Sequence, residues 1–198
     1  MLYALLLLLA CALVLSTDPV APDKYSVTFT TDVPGNITID VNRSLSPLGA
    51  DRFYALVADN FFSAGGGAAF FRVVDDFVVQ FGISGDPAET SKWDTIIPDD
   101  PVVASNLEGT LTFATAGPDT RTSQLFVNSK DNASLDSQGF SPFGKVVEGM
   151  ELVLKLKNPT PGNSNGIDQG KYTDGGNEWL EASKYAGEYN SIVGAHLC

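Results

Sequence analysis

The sequence predicts an all-β fold, an antiparallel β-barrel with helical caps, and three observations support this class. The first is a series of short segments in which apolar or β-branched residues alternate with polar ones. The second is the number of turn-forming residues, 19 glycines and 11 prolines in 198 residues. The third is that only two segments have helical spacing. Many short strands with two helices are typical of a capped barrel.

The first predicted elements are two strands and a helix. Residues 25–30 and 37–41 are rich in β-branched and aromatic residues, and the turn-forming residues 33–36 lie between them. Ser46 and Pro47 are typical of the N-cap and the first position of a helix. The buried stripe of this helix is predicted to be Phe53, Leu56 and Val57.

The later elements are shorter and more apolar. Residues 70–74 and 77–81 are near-continuous apolar runs separated by Asp75 and Asp76, which predicts two strands of a closed sheet. Further strands are predicted at 109–115, 124–127 and 142–147, and a second helix from Gly149 through Leu156. Two loops are expected, a long one at 82–100 and a mobile one at 158–176, where Gly, Pro, Asn and Asp dominate.

Composition excludes several classes of function. The net charge of −12 argues against binding to nucleic acid or to an anionic membrane surface. The one histidine, His196, excludes most Ser-His-Asp and Cys-His catalysis and every site that needs several histidines. Two cysteines are too few for a disulfide scaffold. We therefore expect no metal and no cofactor.

The N-terminus predicts export. Residues 1–15 are all apolar, too short a run to span a membrane easily, and are typical of a secretory signal peptide. The predicted organisation is a signal peptide at 1–16, a linker at 17–24 and one domain at 25–198, in a secreted or secretory-pathway protein. No Lys or Arg precedes the apolar run, so an uncleaved membrane anchor remains an alternative, as does a lipoprotein modified at Cys11.

Five motifs follow one another between residues 25 and 156. The most specific is FFRVVDDFVVQ at 70–80, and the others are GISGDP at 82–87, TFATAGP at 112–118, SQLFV at 123–127, and LD at 135–136 followed by FGKV and EGM. In this order they resemble the cyclophilin-type peptidyl-prolyl cis-trans isomerases. Residues 47–53, 97–103 and 177–192 resemble the bacterial-like secreted branch.

The resemblance implies an eight-stranded antiparallel barrel capped by two helices, and an enzyme that accelerates rotation of X-Pro bonds in secretory-pathway proteins. Its partners would be proline-containing polypeptides, and it would act as a monomer without a cofactor. An alternative is a cyclophilin-like module that binds proline-containing segments with little turnover. Rotation needs a donor aimed at the proline nitrogen and no nucleophile or metal, which agrees with a chain that has one histidine.

The resemblance also implies the site. Arg72 would be the catalytic donor, although an arginine in an apolar strand could equally form a structural salt bridge with Asp75 or Asp76. Gln80 would orient the arginine and bind the substrate backbone. The pocket for the proline ring would be formed by Phe77, Phe126 and Leu135, and the groove beside it by Ala114 and Gln124.

Two positions depart from the family pattern. Phe140 stands about where the family has a groove histidine, and we include it among the substrate-binding residues. Ser134 stands where most members have an aromatic residue, which in the large eukaryotic branch is the tryptophan that binds cyclosporin. Three sequence triplets also predict N-glycosylation acceptors, at Asn36, Asn42 and Asn132.

Overall fold

The fold of residues 18–198, the part of the chain that the computed structural model describes, is built on one antiparallel sheet. The predicted signal peptide lies outside the described residues. The nine strands are β1 (Lys24–Thr31), β2 (Asn36–Asn42), β3 (Ala68–Ala69), β4 (Arg72–Val74), β5 (Val78–Phe81), β6 (Thr110–Phe113), β7 (Leu125–Asn128), β8 (Pro142–Glu148) and β9 (Ser191–Leu197).

The order of the strands explains how the sheet curls into a barrel. It runs β3-β9-β1-β2-β8-β6-β7-β5-β4, so the two edge strands are successive in the chain. Only Phe70 and Phe71 separate them, and the backbone N–H of Phe70 donates to the carbonyl oxygen of Asn190 at 2.9 Å. The chain itself therefore joins the two edges. Nine strands are observed rather than the expected eight because this edge segment is interrupted and counts as two.

One helix fills the barrel end. Helix α1 (Pro47–Ala58) begins at the predicted N-cap, and its stripe of Phe53, Leu56 and Val57 is buried, as predicted. Phe53 packs edge-on against Phe29, with ring centroids 6.0 Å apart. The cap differs from the prediction: the Ser46 hydroxyl does not bond to its own helix but donates to Asp100, whose carboxylate accepts the first backbone N–H groups of the helix.

Three further helices lie outside the sheet, α2 (Pro87–Lys92), α3 (Met150–Val153) and α4 (Gln169–Ala182). Three predictions were wrong here. The expected loop at 82–100 contains α2, which the Asp86 side chain caps by accepting from the N–H of Ala88 at 2.8 Å. The expected mobile loop at 158–176 ends at 168, because α4 buries Tyr172 and Leu180 against the barrel. Helix α3 is shorter than predicted and ends before Leu156.

The segment predicted as a linker is held against α1. Ala21 is buried, and its backbone N–H donates to the Asp51 carboxylate at 2.8 Å. Arg52 forms an ion pair with Asp18, with 2.6 Å between Nε and Oδ2. Within residues 18–198, no helix is long and apolar enough to cross a membrane.

Candidate active site

The pairing of three strands brings the main candidate residues together. Arg72 in β4 lies opposite Gln80 in β5, and Gln80 lies opposite Phe126 in β7. Side chains of directly opposed residues project from the same face of a sheet. The three side chains therefore form a row across the barrel surface, although the residues are up to 54 positions apart in the sequence.

A chain of hydrogen bonds fixes this row. The Nη1 group of Arg72 donates to Oε1 of Gln80 at 3.0 Å, and Nε2 of Gln80 donates to Oε1 of Gln124 at 2.9 Å. The Nε group of Arg72 donates to the carbonyl oxygen of Ser164 at 2.6 Å. None of the ion pairs among residues 18–198 joins Arg72 to Asp75 or Asp76. The structural salt-bridge alternative is therefore wrong.

The environment of Arg72 is partly apolar. Its side chain is half-buried, and burial lowers the pKa of the guanidinium because removal from water disfavours the charged form. The guanidinium carbon lies 5.7 Å from the centre of the Phe77 ring. An arginine remains charged at neutral pH. The site thus presents a fixed positive charge beside an aromatic surface, with limited access to water.

An apolar pocket opens next to Arg72. Its floor is a buried cluster of Val78, Phe126 and Leu135, and three partly buried residues pack against that cluster: Phe77, Ala114 and Phe140. The cavity has a volume of about 260 Å³, and Arg72 and Gln80 lie on its wall. The structure therefore places seven predicted residues around one cavity: Arg72, Phe77, Gln80, Ala114, Phe126, Leu135 and Phe140.

A second, more polar cavity adjoins the first. It has a volume of about 280 Å³ and shares Gln80, Ala114 and Thr115 with the apolar pocket. Gln124, predicted for the groove, lines this second cavity only. Ala114 lies at the boundary, where its small side chain leaves the two cavities in contact. Together they form a groove in which an extended peptide would pass from one cavity to the next.

Several residues of the site were not predicted. Val78, Thr115 and Gln138 also line the apolar pocket. Val78 could have been inferred from its place between Phe77 and Gln80, but Gln138 lies in a 3₁₀ turn (Ala133–Gln138) without periodic signal. A larger cavity, of about 660 Å³, lies between β1, β2 and β8 and contains none of the predicted catalytic or substrate-binding residues.

A buried network of polar side chains supports the pocket from behind. Asp136 accepts from the backbone N–H and the Nδ2 group of Asn106 at 2.9 and 2.8 Å. The same Nδ2 group donates to the carbonyl oxygen of Phe140 at 2.9 Å. Nδ2 of Asn132 donates to the carbonyl oxygen of Phe77 at 2.8 Å. The network therefore ties two walls of the pocket, Phe77 and Phe140, to the barrel.

The three predicted glycosylation acceptors differ in their exposure to solvent. Asn36 is exposed at the start of β2, and Asn42 is half-buried at its end. Asn132 is buried, and its side-chain nitrogen donates both to Phe77 and, at 2.9 Å, to Asn128. The fold contradicts Asn132 as an accessible acceptor, because a glycan on that nitrogen would displace both hydrogen bonds.

Comparison with known proteins identifies the family. The family model described as "Cyclophilin type peptidyl-prolyl cis-trans isomerase/CLD" matches residues 26–173. A peptidyl-prolyl cis-trans isomerase of Acinetobacter baylyi is 35% identical over 143 residues, which cover 68% of this chain and 73% of that protein. Peptidyl-prolyl cis-trans isomerase A of Dickeya dadantii is 33% identical over 160 residues, which cover 76% and 83%.

The fold agrees with this assignment. The crystal structure of a cyclophilin type peptidyl-prolyl cis-trans isomerase of Cryptosporidium parvum covers 88% of this chain and 98% of its own, with a TM-score of 0.63 and 20% sequence identity. The family match spans the strands that carry the arginine, the glutamine and the pocket phenylalanines. The chain belongs to the cyclophilin-type peptidyl-prolyl cis-trans isomerases, a class of enzymes.

Proposed function

We propose that this isomerase lowers the barrier to X-Pro rotation through Arg72. The barrier is about 18–20 kcal/mol, because rotation removes the resonance of the amide. In the twisted state the proline nitrogen becomes pyramidal and gains a lone pair. A donor that meets this lone pair binds the twisted state more strongly than either planar isomer, which is the requirement for catalysis.

The observation that carries this proposal is the orientation of Arg72 beside the apolar pocket. Arginine has five N–H donors. Ser164 and Gln80 each accept from one of them, on Nε and Nη1, and the others remain for a substrate. A proline ring seated against Phe126 and Leu135 would bring its nitrogen towards the guanidinium. Binding of the ring and stabilisation of the twisted bond thus involve different groups.

A protease-coupled assay on a short X-Pro peptide tests the proposal. We expect the chain to accelerate the slow phase of cleavage, which uncatalysed isomerisation limits to tens of seconds or longer. The control is the same assay without the chain. A slow phase that does not change at micromolar protein would contradict the proposal.

A second candidate is a module that binds proline-containing segments with little turnover. Ser134 is exposed on the 3₁₀ turn next to Leu135, and Phe140 packs on Phe126 with ring centroids 5.6 Å apart. These two positions lack the family's rim aromatic and its groove histidine. Peptide binding by calorimetry, together with an unchanged slow phase in the assay above, would favour this second function.

We also propose that the clients are proteins of the secretory pathway. The apolar residues 1–15, with Ser16 as the predicted cleavage site, support this compartment. Pulse-labelling in the native host, followed by N-terminal sequencing of the exported product, tests it. A mature protein that begins at Thr17 is expected, and a cytosolic product with Met1 retained would contradict the proposal.

A further inference from the structure

The loop at residues 158–168 packs directly against the start of β4, the strand that carries Arg72. The backbone N–H of Ile167 donates to the carbonyl oxygen of Phe71 at 2.9 Å, and the Ile167 side chain is buried. Ser164 lies three residues before Ile167, and its carbonyl oxygen accepts from Nε of Arg72 at 2.6 Å. The loop therefore contacts both the backbone before Arg72 and the functional end of its side chain.

Gly166 makes this close approach possible. It is buried and has a φ of +79°, a conformation that favours glycine. A Cβ atom at this position would lie 2.6 Å from Cβ of Arg72 and 2.7 Å from the carbonyl oxygen of Phe71. Any side chain here would push the loop away from the strand. The residue type at 166 thus decides whether Ser164 can reach the guanidinium.

Internal hydrogen bonds give the loop a defined shape, although residues 161–165 are exposed. The Asn163 side chain accepts from the N–H of Asn165 at 3.0 Å and donates to the carbonyl oxygen of Gly166 at 3.4 Å. The Thr160 hydroxyl donates to the carbonyl oxygen of Asn163 at 2.9 Å. Helix α4 begins directly after the loop, and just before it the backbone N–H of Lys157 donates to Oδ1 of Asn190 at 2.9 Å, so both ends are anchored.

We propose that the 158–168 loop is a positioning element for isomerisation, in which the Ser164 carbonyl oxygen directs the Arg72 guanidinium towards the proline nitrogen. The guanidinium is planar. Acceptors at both Nε and Nη1 therefore fix its plane as well as its position. This inference rests on the proposed role of Arg72.

The loop should affect the catalytic step more than peptide binding. The apolar pocket is lined by residues of β4, β5 and β7, by Phe77, by residues 114–115 directly after β6, and by the segment at 135–140. None of the described residues at 158–168 contributes to it. If the loop were displaced, the proline ring of a substrate could still contact every residue that lines the pocket. The guanidinium would lose one of its two acceptors and spend less time in the productive orientation.

The test compares two substitutions within the loop. Gly166→Ala introduces the clash with Arg72. Gly162→Ala is the matched control, because Gly162 has the same φ of +79° but nothing lies within 4 Å of an added Cβ. For Gly166→Ala we expect kcat to fall roughly tenfold with KM within about twofold, as for loss of a hydrogen bond to a charged group. Gly162→Ala should change neither constant by more than about twofold.

The outcomes separate this inference from the proposed function. If Arg72→Ala abolishes turnover while Gly166→Ala keeps kcat, the positioning role is overturned and the role of Arg72 stands. Equal losses in kcat for Gly166→Ala and Gly162→Ala would also overturn it, since strain alone would then explain the effect. Should Gly166→Ala fail to fold, Asn163→Ala loosens the loop without a clash. It should lower kcat more than KM, and an unchanged kcat would overturn the inference.

Discussion

Ser134 is the residue at which the rim of the pocket differs most clearly from relatives that bind cyclosporin through tryptophan. It is exposed and immediately precedes Leu135 of the pocket floor. Serine offers neither an indole N–H nor an apolar surface at this position. The chain should therefore be only weakly inhibited by cyclosporin.

Replacing Ser134 by tryptophan should restore that contact. We expect Ser134→Trp to tighten cyclosporin inhibition by about tenfold or more, the combined value of one hydrogen bond and one aromatic contact. Ser137→Trp, on the same exposed turn but not next to Leu135, is the control. Nanomolar inhibition of the parent chain would show that the match around Leu135 is wrong.

Single residues of the site differed in how well they could be predicted. Arg72, Gln80 and Phe126 occur within motifs of fixed spacing, and strand register converts that spacing into proximity. Ser164 acts through its backbone carbonyl oxygen, so no side-chain type marks it. Gln138 faces the pocket from a 3₁₀ turn, whose short length carries no hydrophobic period.

At the scale of elements, a polar network holds the 3₁₀ turn (Ala133–Gln138) behind the pocket. Burial alone would raise the pKa of Asp136, but hydrogen bonds from the Ser105 hydroxyl and from the side chain and backbone of Asn106 outweigh it and lower the pKa. A carboxyl whose pKa is lowered in the folded state stabilises the fold above its unfolded pKa. That contribution to stability is lost as the pH falls through the pKa that the carboxyl has in the folded state.

We expect Asp136→Asn to lower the free energy of unfolding by about 1–3 kcal/mol at pH 7, because a donor replaces an acceptor opposite buried N–H groups. KM for an X-Pro peptide should rise, since the walls at Phe77 and Phe140 loosen. Urea unfolding at pH 7 and at about pH 3 measures the effect, and the difference from the parent should shrink below about pH 4. The control is Asp131→Asn, where the exposed carboxylate accepts the N–H of Glu108. An equal loss in both variants would contradict a special role for Asp136.

Secondary-structure elements were predictable where a local signal was strong. The β1–β2 hairpin and α1 have alternation or capping residues, and both were confirmed. Helix α2 has the same cap signal, Asp86 followed by Pro87, which was missed. Helix α4 contains three glycines and is kinked at Gly176, whose φ of 55° and ψ of −151° are not helical. Burial of Tyr172 and Leu180 on either side of the kink stabilises the helix, which composition alone cannot indicate. Tertiary packing overrides helix propensity in such segments.

Two properties belong to the molecule as a whole, the closure of the barrel and the cellular compartment of the protein. The order of the motifs predicted the barrel, but not the division of the 68–74 segment into β3 and β4. That division arises because residues 68–69 pair with β9 and residues 72–74 pair with β5, so the segment changes partner between them. The signal peptide and the secretory compartment stay predictions.

Glycosylation offers a test of the compartment in a eukaryotic host. On expression through a secretory route, we expect Asn36 to be modified and Asn132 to remain unmodified, because only Asn36 is exposed. Glycosidase treatment with intact mass analysis measures occupancy, and Asn36→Gln is the control that removes the acceptor. An exported chain that carries a glycan at Asn132 and keeps full activity would contradict the role assigned to its buried amide.

The role of Arg72 is tested most directly by kcat/KM for an X-Pro peptide in Arg72→Ala, with circular dichroism to verify the fold. Arg43→Ala is the matched control, because Arg43 pairs with Asp51 and lies outside the two cavities of the groove. For Arg72→Ala we expect a folded protein whose barrier is about 2–4 kcal/mol higher, roughly 30- to 1000-fold in rate, while Arg43→Ala retains the parent rate. A folded Arg72→Ala with near-parental kcat/KM would contradict the assignment of Arg72 as the donor.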